Sequence, residues 1–108
     1  MQTVIEFGDF HKHALTLLGE DGYVELINYV AKNPEEGEII PGTGGFRKMR
    51  YGRPGMGKRG GVRVVYFFYT SGKPISLVYI YAKAKTENLT KKQATALYEL
   101  AQIIKKGS

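Results

Sequence analysis

The 108-residue sequence contains no cysteine. Neither a disulfide framework nor a thiolate metal site is open to it, so its stability must come from packing, and a reducing cytosol suits it. No apolar run approaches the roughly 20 residues needed to cross a bilayer, and the opening MQTVIEF has no basic n-region or long apolar h-region. The expectation is a cytoplasmic protein with no membrane association. The length suffices for one hydrophobic core and is too short for two comfortable ones, so residues 1–108 are read as a single domain.

Acid is missing from the middle of the chain. Residues 1–38 hold 2 Lys/Arg against 8 Asp/Glu, whereas residues 39–86 hold 10 Lys/Arg and no carboxylate, and residues 87–108 hold 4 against 2. The net charge of +6 is therefore segregated, with an acidic first third and a strongly basic centre. A basic face directed at a polyanion accounts for such segregation, and nucleic acid is the obvious one. Metal ligands are also lacking. The carboxylates show no DxD or ExxH spacing, and His11 and His13, two apart near a helix start, point in different directions and read as surface histidines. Neither a metal nor a cofactor is expected.

What is present reads as an α+β fold. Residues 3–7 are short and β-branched, a first strand. Asp9 then caps a helix with Phe10, Ala14, Leu17 and Leu18 on one stripe, stopped by Gly19. A second helix, residues 21–32, aligns Tyr23, Leu26, Ile27, Val30 and Ala31 and ends at Asn33-Pro34. Strands follow at residues 46–51, 62–70 and 75–83, the last two joined by a Ser-Gly-Lys-Pro turn. Thr90 and Gln93 form a capping box, opening a final helix striped by Ala94, Leu97, Ala101 and Ile104 and widened by Leu100. The predicted order is β-α-α-β-β-β-α: two N-terminal helices and a C-terminal helix against one face of a small, mainly antiparallel sheet.

Chemistry concentrates in residues 42–63, which carry eight glycines and seven cations: Arg47, Lys48, Arg50, Arg53, Lys58, Arg59 and Arg63. Alternation on a strand puts Phe46, Lys48 and Arg50 on one side and Arg47, Met49 and Tyr51 on the other. Two cations on one pleated face suit a phosphodiester. Arg63 interrupts an otherwise hydrophobic strand, and a planar guanidinium binds phosphate bidentately. The plainer alternative is a solvated basic sheet face. The absence of acid between Glu38 and Glu87, and the tyrosines at 51, 66, 69, 79 and 81, of which one or two are expected to stack on RNA and the others to lie in the core, weigh against it. The stretch GRPGMGKRGG lacks the GxxxxGK[ST] order and following helix of a phosphate-binding loop, so it is read either as a basic loop in which Lys58 and Arg59 touch a nucleic-acid backbone or, with equal weight, as a plain long hairpin loop.

The segments IPGTGGFRKMRY, GKRGGVRVVYFF and IYAKAKTENLT, in this order over nearly the whole chain, resemble the RelE/HigB toxins of type II toxin–antitoxin systems, in the branch with a GTGG-[hydrophobic]-RK-x-R and GKRGG-x-R signature. The resemblance implies a RelE-like fold and a ribosome-dependent endoribonuclease that cuts mRNA in the A site without a metal, through the substrate's 2′-hydroxyl. It assigns Lys48 and Arg50 to the strand pair near the phosphate, Arg63 to the phosphorane and Lys83 to the region of the leaving group. Arg47, Arg53, Lys58, Arg59, Lys73 and Lys85 are then RNA- or ribosome-binding residues. Ala84 stands where some relatives have an arginine, and Asn88-Leu89-Thr90 where they have a late tyrosine. The general acid and base stay open among Tyr81, Lys85 and other histidine-free arrangements. The implied partners are a cognate antitoxin of helix-turn-helix type, the ribosome and mRNA. Two other functions share this composition: a non-catalytic nucleic-acid-binding relative, and a toxin on the same fold that targets gyrase.

Overall fold

A computed structural model of the chain describes residues 3–52, 61–82 and 89–107. The elements run β1 (Val4–Glu6), α1 (Phe10–Lys32), β2 (Glu38–Ile39), β3 (Phe46–Tyr51), β4 (Val62–Phe67), β5 (Ile75–Ala82) and α2 (Lys91–Lys106). The strands form one sheet in the order β1-β5-β4-β3-β2. The pairings β2–β3, β3–β4 and β4–β5 are antiparallel, and β1 joins β5 in parallel. The sheet is therefore mixed, because the chain passes through α1 before returning and β1 completes the β5 edge in the same direction. The two-residue strand β2 lies in the acidic connection, where alternation is too short to read.

The two expected N-terminal helices are present as the arms of α1. Gly19 takes φ +74° and ψ 174° between them, so the helix breaks there and resumes at once, without a connecting loop. His11 and Tyr23 show how sharply it turns. Twelve helical residues span about 18 Å along a straight axis, yet these two rings meet edge to face with centroids 4.8 Å apart. Asp9 occupies the N-cap without a side-chain cap bond; the first turn is held by the backbone, with the His13 N–H donating to the Asp9 carbonyl at 3.0 Å.

The helices do not share one face of the sheet, as the sequence led us to expect; they cover opposite faces. Phe10, Ala14, Leu18, Leu26 and Val30 of α1 pack against Met49, Val62, Val64, Tyr66, Ile75 and Leu77. Leu97 and Ala101 of α2 pack against Phe46, Val65 and Phe67. The physical reason lies in β4. All six of its residues are buried, so both of its faces need a cover.

A register shift between Val65 and Tyr66 of β4 sets Val65 opposite Tyr79 but Tyr66 opposite Leu77, leaving Val78 as an extra residue on β5. The extra residue inverts the facing of the strand. Ile75 and Leu77 lie in the α1 core, whereas Val78, Tyr79 and Tyr81 all face the α2 side.

The GTGG segment docks α2. Thr43, fully buried, donates from Oγ1 to the Ile40 carbonyl at 2.7 Å and accepts from the Phe46 N–H at 3.1 Å, closing the turn into β3. Gly44 has φ +74°, and a Cβ there would sit 3.1 Å from Ala101 Cβ and 3.3 Å from Tyr98 Cδ2. Only a residue without a side chain lets the turn lie this close to the helix. The predicted capping box starts α2: Gln93 N–H donates to Thr90 Oγ1 at 3.1 Å, and Thr90 N–H donates to Gln93 Oε1 at 2.9 Å.

Candidate functional site

The α2-facing side of the sheet changes character along its strands. At one end Phe46 pairs with Phe67 beneath α2. One step along, Lys48 lies opposite Val65, which lies opposite Tyr79. At the far end Arg50, Arg63 and Tyr81 form a row across β3, β4 and β5, each directly opposite the next. Directly opposed residues of an antiparallel pair have Cβ atoms about 4.5–5.5 Å apart. Lys48, Arg50 and Arg63 are therefore brought together on one face by the fold, with Arg50 exposed and Lys48 half-buried.

Two like charges opposed across a sheet repel, and a carboxylate ordinarily relieves them. Here none does. Among the described residues the ion pair is His11 Nδ1 with Glu6 Oε2, 3.4 Å apart at the β1 edge, and no carboxylate pairs with Lys48, Arg50 or Arg63. Glu38 is opposite Lys48 in register without forming an ion pair with it.

Arg63 is the unusual member. Its side chain belongs to a residue only 8% exposed, and its Nη1 is buried without a hydrogen-bond partner. The Oη of Tyr81, its cross-strand neighbour, is the other buried side-chain polar atom without a partner among the described residues. A buried polar group left unpaired costs about 1–3 kcal/mol, and more when it is charged. Two such groups on directly opposed residues, one cationic and one a neutral hydroxyl, make a place suited to an anion that accepts from both. Burial raises the Tyr81 hydroxyl above the ordinary phenol range, and the nearby Arg63 charge pulls it part of the way back. Tyr81 is thus a protonated donor at neutral pH.

The other residues expected at a nucleic-acid surface separate into groups. Arg47 faces the α1 side, where its Nη1 donates to the carbonyls of Glu35 at 3.1 Å and Gly37 at 2.8 Å. It holds the connection that follows α1. Tyr66, opposite Arg47 in register, holds the same connection by accepting from the Gly37 N–H at 2.9 Å. Tyr66 and Tyr51 belong to the core rather than to a stacking surface, while Tyr79 and Tyr81 are half-buried and Tyr69 is exposed. Lys73 sits in the turn joining β4 to β5, at the opposite end of that hairpin from Arg63. Lys83, Arg53, Lys58, Arg59 and Lys85 lie outside the described residues.

Sequence reasoning left Tyr81 as one of several open candidates for the general acid or base, because the chain departs from the family pattern at Ala84 and at residues 88–90; simple alternation along β5 would put it on the same face as Leu77. The bulge is what moves it beside Arg63. Among the described residues no group of three or more His, Asp or Glu stands where it could hold a metal ion, and no helix is long and apolar enough to cross a membrane. The comparison with protein families agrees with this arrangement of strands and helices. The family model described as the RelE toxin of the RelE/RelB toxin–antitoxin system matches residues 20–108, from the second arm of α1 through α2, and the chain belongs to this RelE toxin family, the toxin half of a toxin–antitoxin pair.

Proposed function

We propose that this RelE-family chain is a ribosome-dependent mRNA endoribonuclease that inhibits translation by metal-independent cleavage through the substrate's 2′-hydroxyl. The observation that carries the reading is the Arg50–Arg63 pair, directly opposed, without a carboxylate partner among the described residues and flanked by Lys48. In the reaction, the 2′-oxygen forms a bond to the adjacent phosphorus as the 2′-hydroxyl loses its proton. The bond from phosphorus to the 5′-oxygen then breaks, and that oxygen takes up a proton. The products are a 2′,3′-cyclic phosphate and a 5′-hydroxyl. Negative charge accumulates on the phosphorane between these steps, and preorganised cations in a partly dry site lower its energy. Arg63 supplies this stabilisation, Lys48 or Arg50 contacts the phosphate or assists the nucleophile, and Lys83 supports charge near the leaving group. Arg53, Lys58, Arg59 and Lys85 contact RNA in this scheme, in the cytoplasm, and a helix-turn-helix antitoxin holds the toxin inactive.

The test is a reconstituted translation reaction with purified ribosomes and a defined mRNA. Cleavage within the ribosome-bound message, leaving mapped 5′-hydroxyl ends, is expected without added free-RNA cutting. Arg63→Ala is expected to abolish those ends and growth inhibition while remaining folded by circular dichroism. Translation arrest without new ends would instead favour a non-catalytic binder, and DNA damage would favour a gyrase-directed toxin. A folded Arg63→Ala protein that cleaves like the parent overturns the site assignment.

A further inference from the structure

We propose that Tyr81 is a substrate-contacting residue: its hydroxyl, together with Arg63 Nη1, forms a two-donor seat for the non-bridging oxygens of one phosphate group. The inference deepens the nuclease reading and rests on it for the identity of the substrate, but the seat itself stands on three observations of its own.

The first is the pair of buried, unpartnered atoms. Among the described residues the buried side-chain polar atoms without a hydrogen bond number two, and they fall on directly opposed residues of neighbouring strands. Buried polar groups are nearly always satisfied in folded proteins, so two orphans on directly opposed residues mark a place for a ligand group. Second, both can donate, and neither pairs with a carboxylate among the described residues. Arg63 presents a permanent cation, Tyr81 a neutral O–H, and no carboxylate among the described residues pairs with Arg63. That donor set fits an oxyanion and suits neither a cation nor an apolar group.

The third is position. The ring of Tyr81 packs on the apolar cluster under α2, which fixes the hydroxyl from below, while exposed Arg50 flanks Arg63 on the side away from Tyr81. A phosphate seated on Arg63 and Tyr81 would remain within reach of Arg50, and its chain would run out over the exposed part of the row. Tyr81 in this arrangement is a hydrogen-bond donor to phosphate and keeps its proton. Its contribution is to hold the oxygens in place as charge grows on them, a role that requires the hydroxyl and not only the ring.

Two measurements on the full-length chain separate this proposal from the nuclease reading. In the first, inorganic phosphate is titrated into 15N-labelled protein while the Arg63 Nε–H signal is followed, for the parent and for Tyr81→Phe. A saturable shift in the parent, with at least threefold weaker apparent affinity in Tyr81→Phe, is expected. The second is single-turnover cleavage of mRNA on saturating programmed ribosomes, where Tyr81→Phe is expected to slow the reaction by roughly 10²-fold, the loss seen when one preorganised donor is removed. Ribosome binding should be unchanged. If the parent cleaves nothing but its phosphate shift still depends on Tyr81, the nuclease reading fails and the seat stands. If phosphate affinity is the same in parent and folded Tyr81→Phe, if a parent that does cleave is no faster than Tyr81→Phe, or if phosphate leaves the Arg63 signal unmoved, the seat is overturned. Tyr81→Leu, which loses ring and hydroxyl together, should be no slower than Tyr81→Phe if the hydroxyl carries the effect.

Discussion

Substituting alanine for Gly44 tests whether the GTGG turn is a docking device for α2. The backbone of Gly44 has φ +74°, and that of Gly42, in the same turn, φ +80°, but a Cβ at Gly42 meets nothing within 4 Å. Left-handed backbone costs an L-residue about 1–2 kcal/mol, so Gly42→Ala should lose about that much. Gly44→Ala carries the same backbone cost and also drives a methyl to 3.1 Å from Ala101 Cβ and 3.3 Å from Tyr98 Cδ2. Overpacking of this kind adds about 1–3 kcal/mol. The assay is urea unfolding of both variants beside the parent, with thermal midpoints as a second readout. Each kcal/mol moves the midpoint of a domain near this size by roughly 4–8 °C. Ala101→Gly sharpens the comparison, because it removes the methyl that the new Cβ strikes. It should cost about 1 kcal/mol alone through helix propensity and less in the Gly44→Ala background. If Gly42→Ala and Gly44→Ala unfold within about 0.5 kcal/mol of each other, the limit within which independent sites normally add, close packing of α2 on the turn is not what requires glycine.

Other outcomes follow from single contacts. Tyr66→Phe leaves the buried Gly37 N–H without its acceptor and should cost about 1–3 kcal/mol in denaturant unfolding, with the far-UV spectrum unchanged. Thr90→Ala removes the reciprocal cap of α2 and should cost about 0.5–2 kcal/mol, whereas Thr90→Ser should restore most of it. Tyr23 has its hydroxyl raised to about 12 by burial and by its hydrogen bonds to the Glu6 carboxylate. A raised folded-state value means that the stabilisation is complete below pH 10 and is lost as pH climbs from 10 towards 12. Stability measured over that interval should fall more steeply for the parent than for Tyr23→Phe, and parallel curves would contradict the assignment.

The sequence was most legible where one rule acted alone. The bounds of β3, the stripe of α2 and its reciprocal Thr90–Gln93 cap follow from alternation, helical periodicity and turn chemistry, and the structure has all three. Arg63 stood out because a charge in the middle of an apolar strand conflicts with its neighbours. The rest depended on partners far away in the chain. That β4 is central, and so needs a helix on each face, is decided by β1 pairing with β5 and β2 with β3. Arg47 and Lys48 look alike as letters, yet adjacent positions on a pleat face opposite ways. Arg47 reaches the carbonyls behind α1, and Lys48 remains on the candidate site. Why the GTGG segment needs glycine is likewise decided at a distance, by the nearness of Ala101 and Tyr98 to Gly44.

The extra residue Val78 gives β5 two frames of meaning. Up to Leu77 its odd-numbered positions build the core, and from Tyr79 onward the odd-numbered positions build the site. Were Val78 instead paired regularly with Val65, at unchanged strand length, β5 would keep a single frame. Tyr81 would then turn into the α1 core and Ile80 would take its place beside Arg63. The chemistry of this face is therefore held by the bulge as much as by the identity of the residues, and a one-position slip of β5 beyond Leu77 would disarm the site with no cation altered.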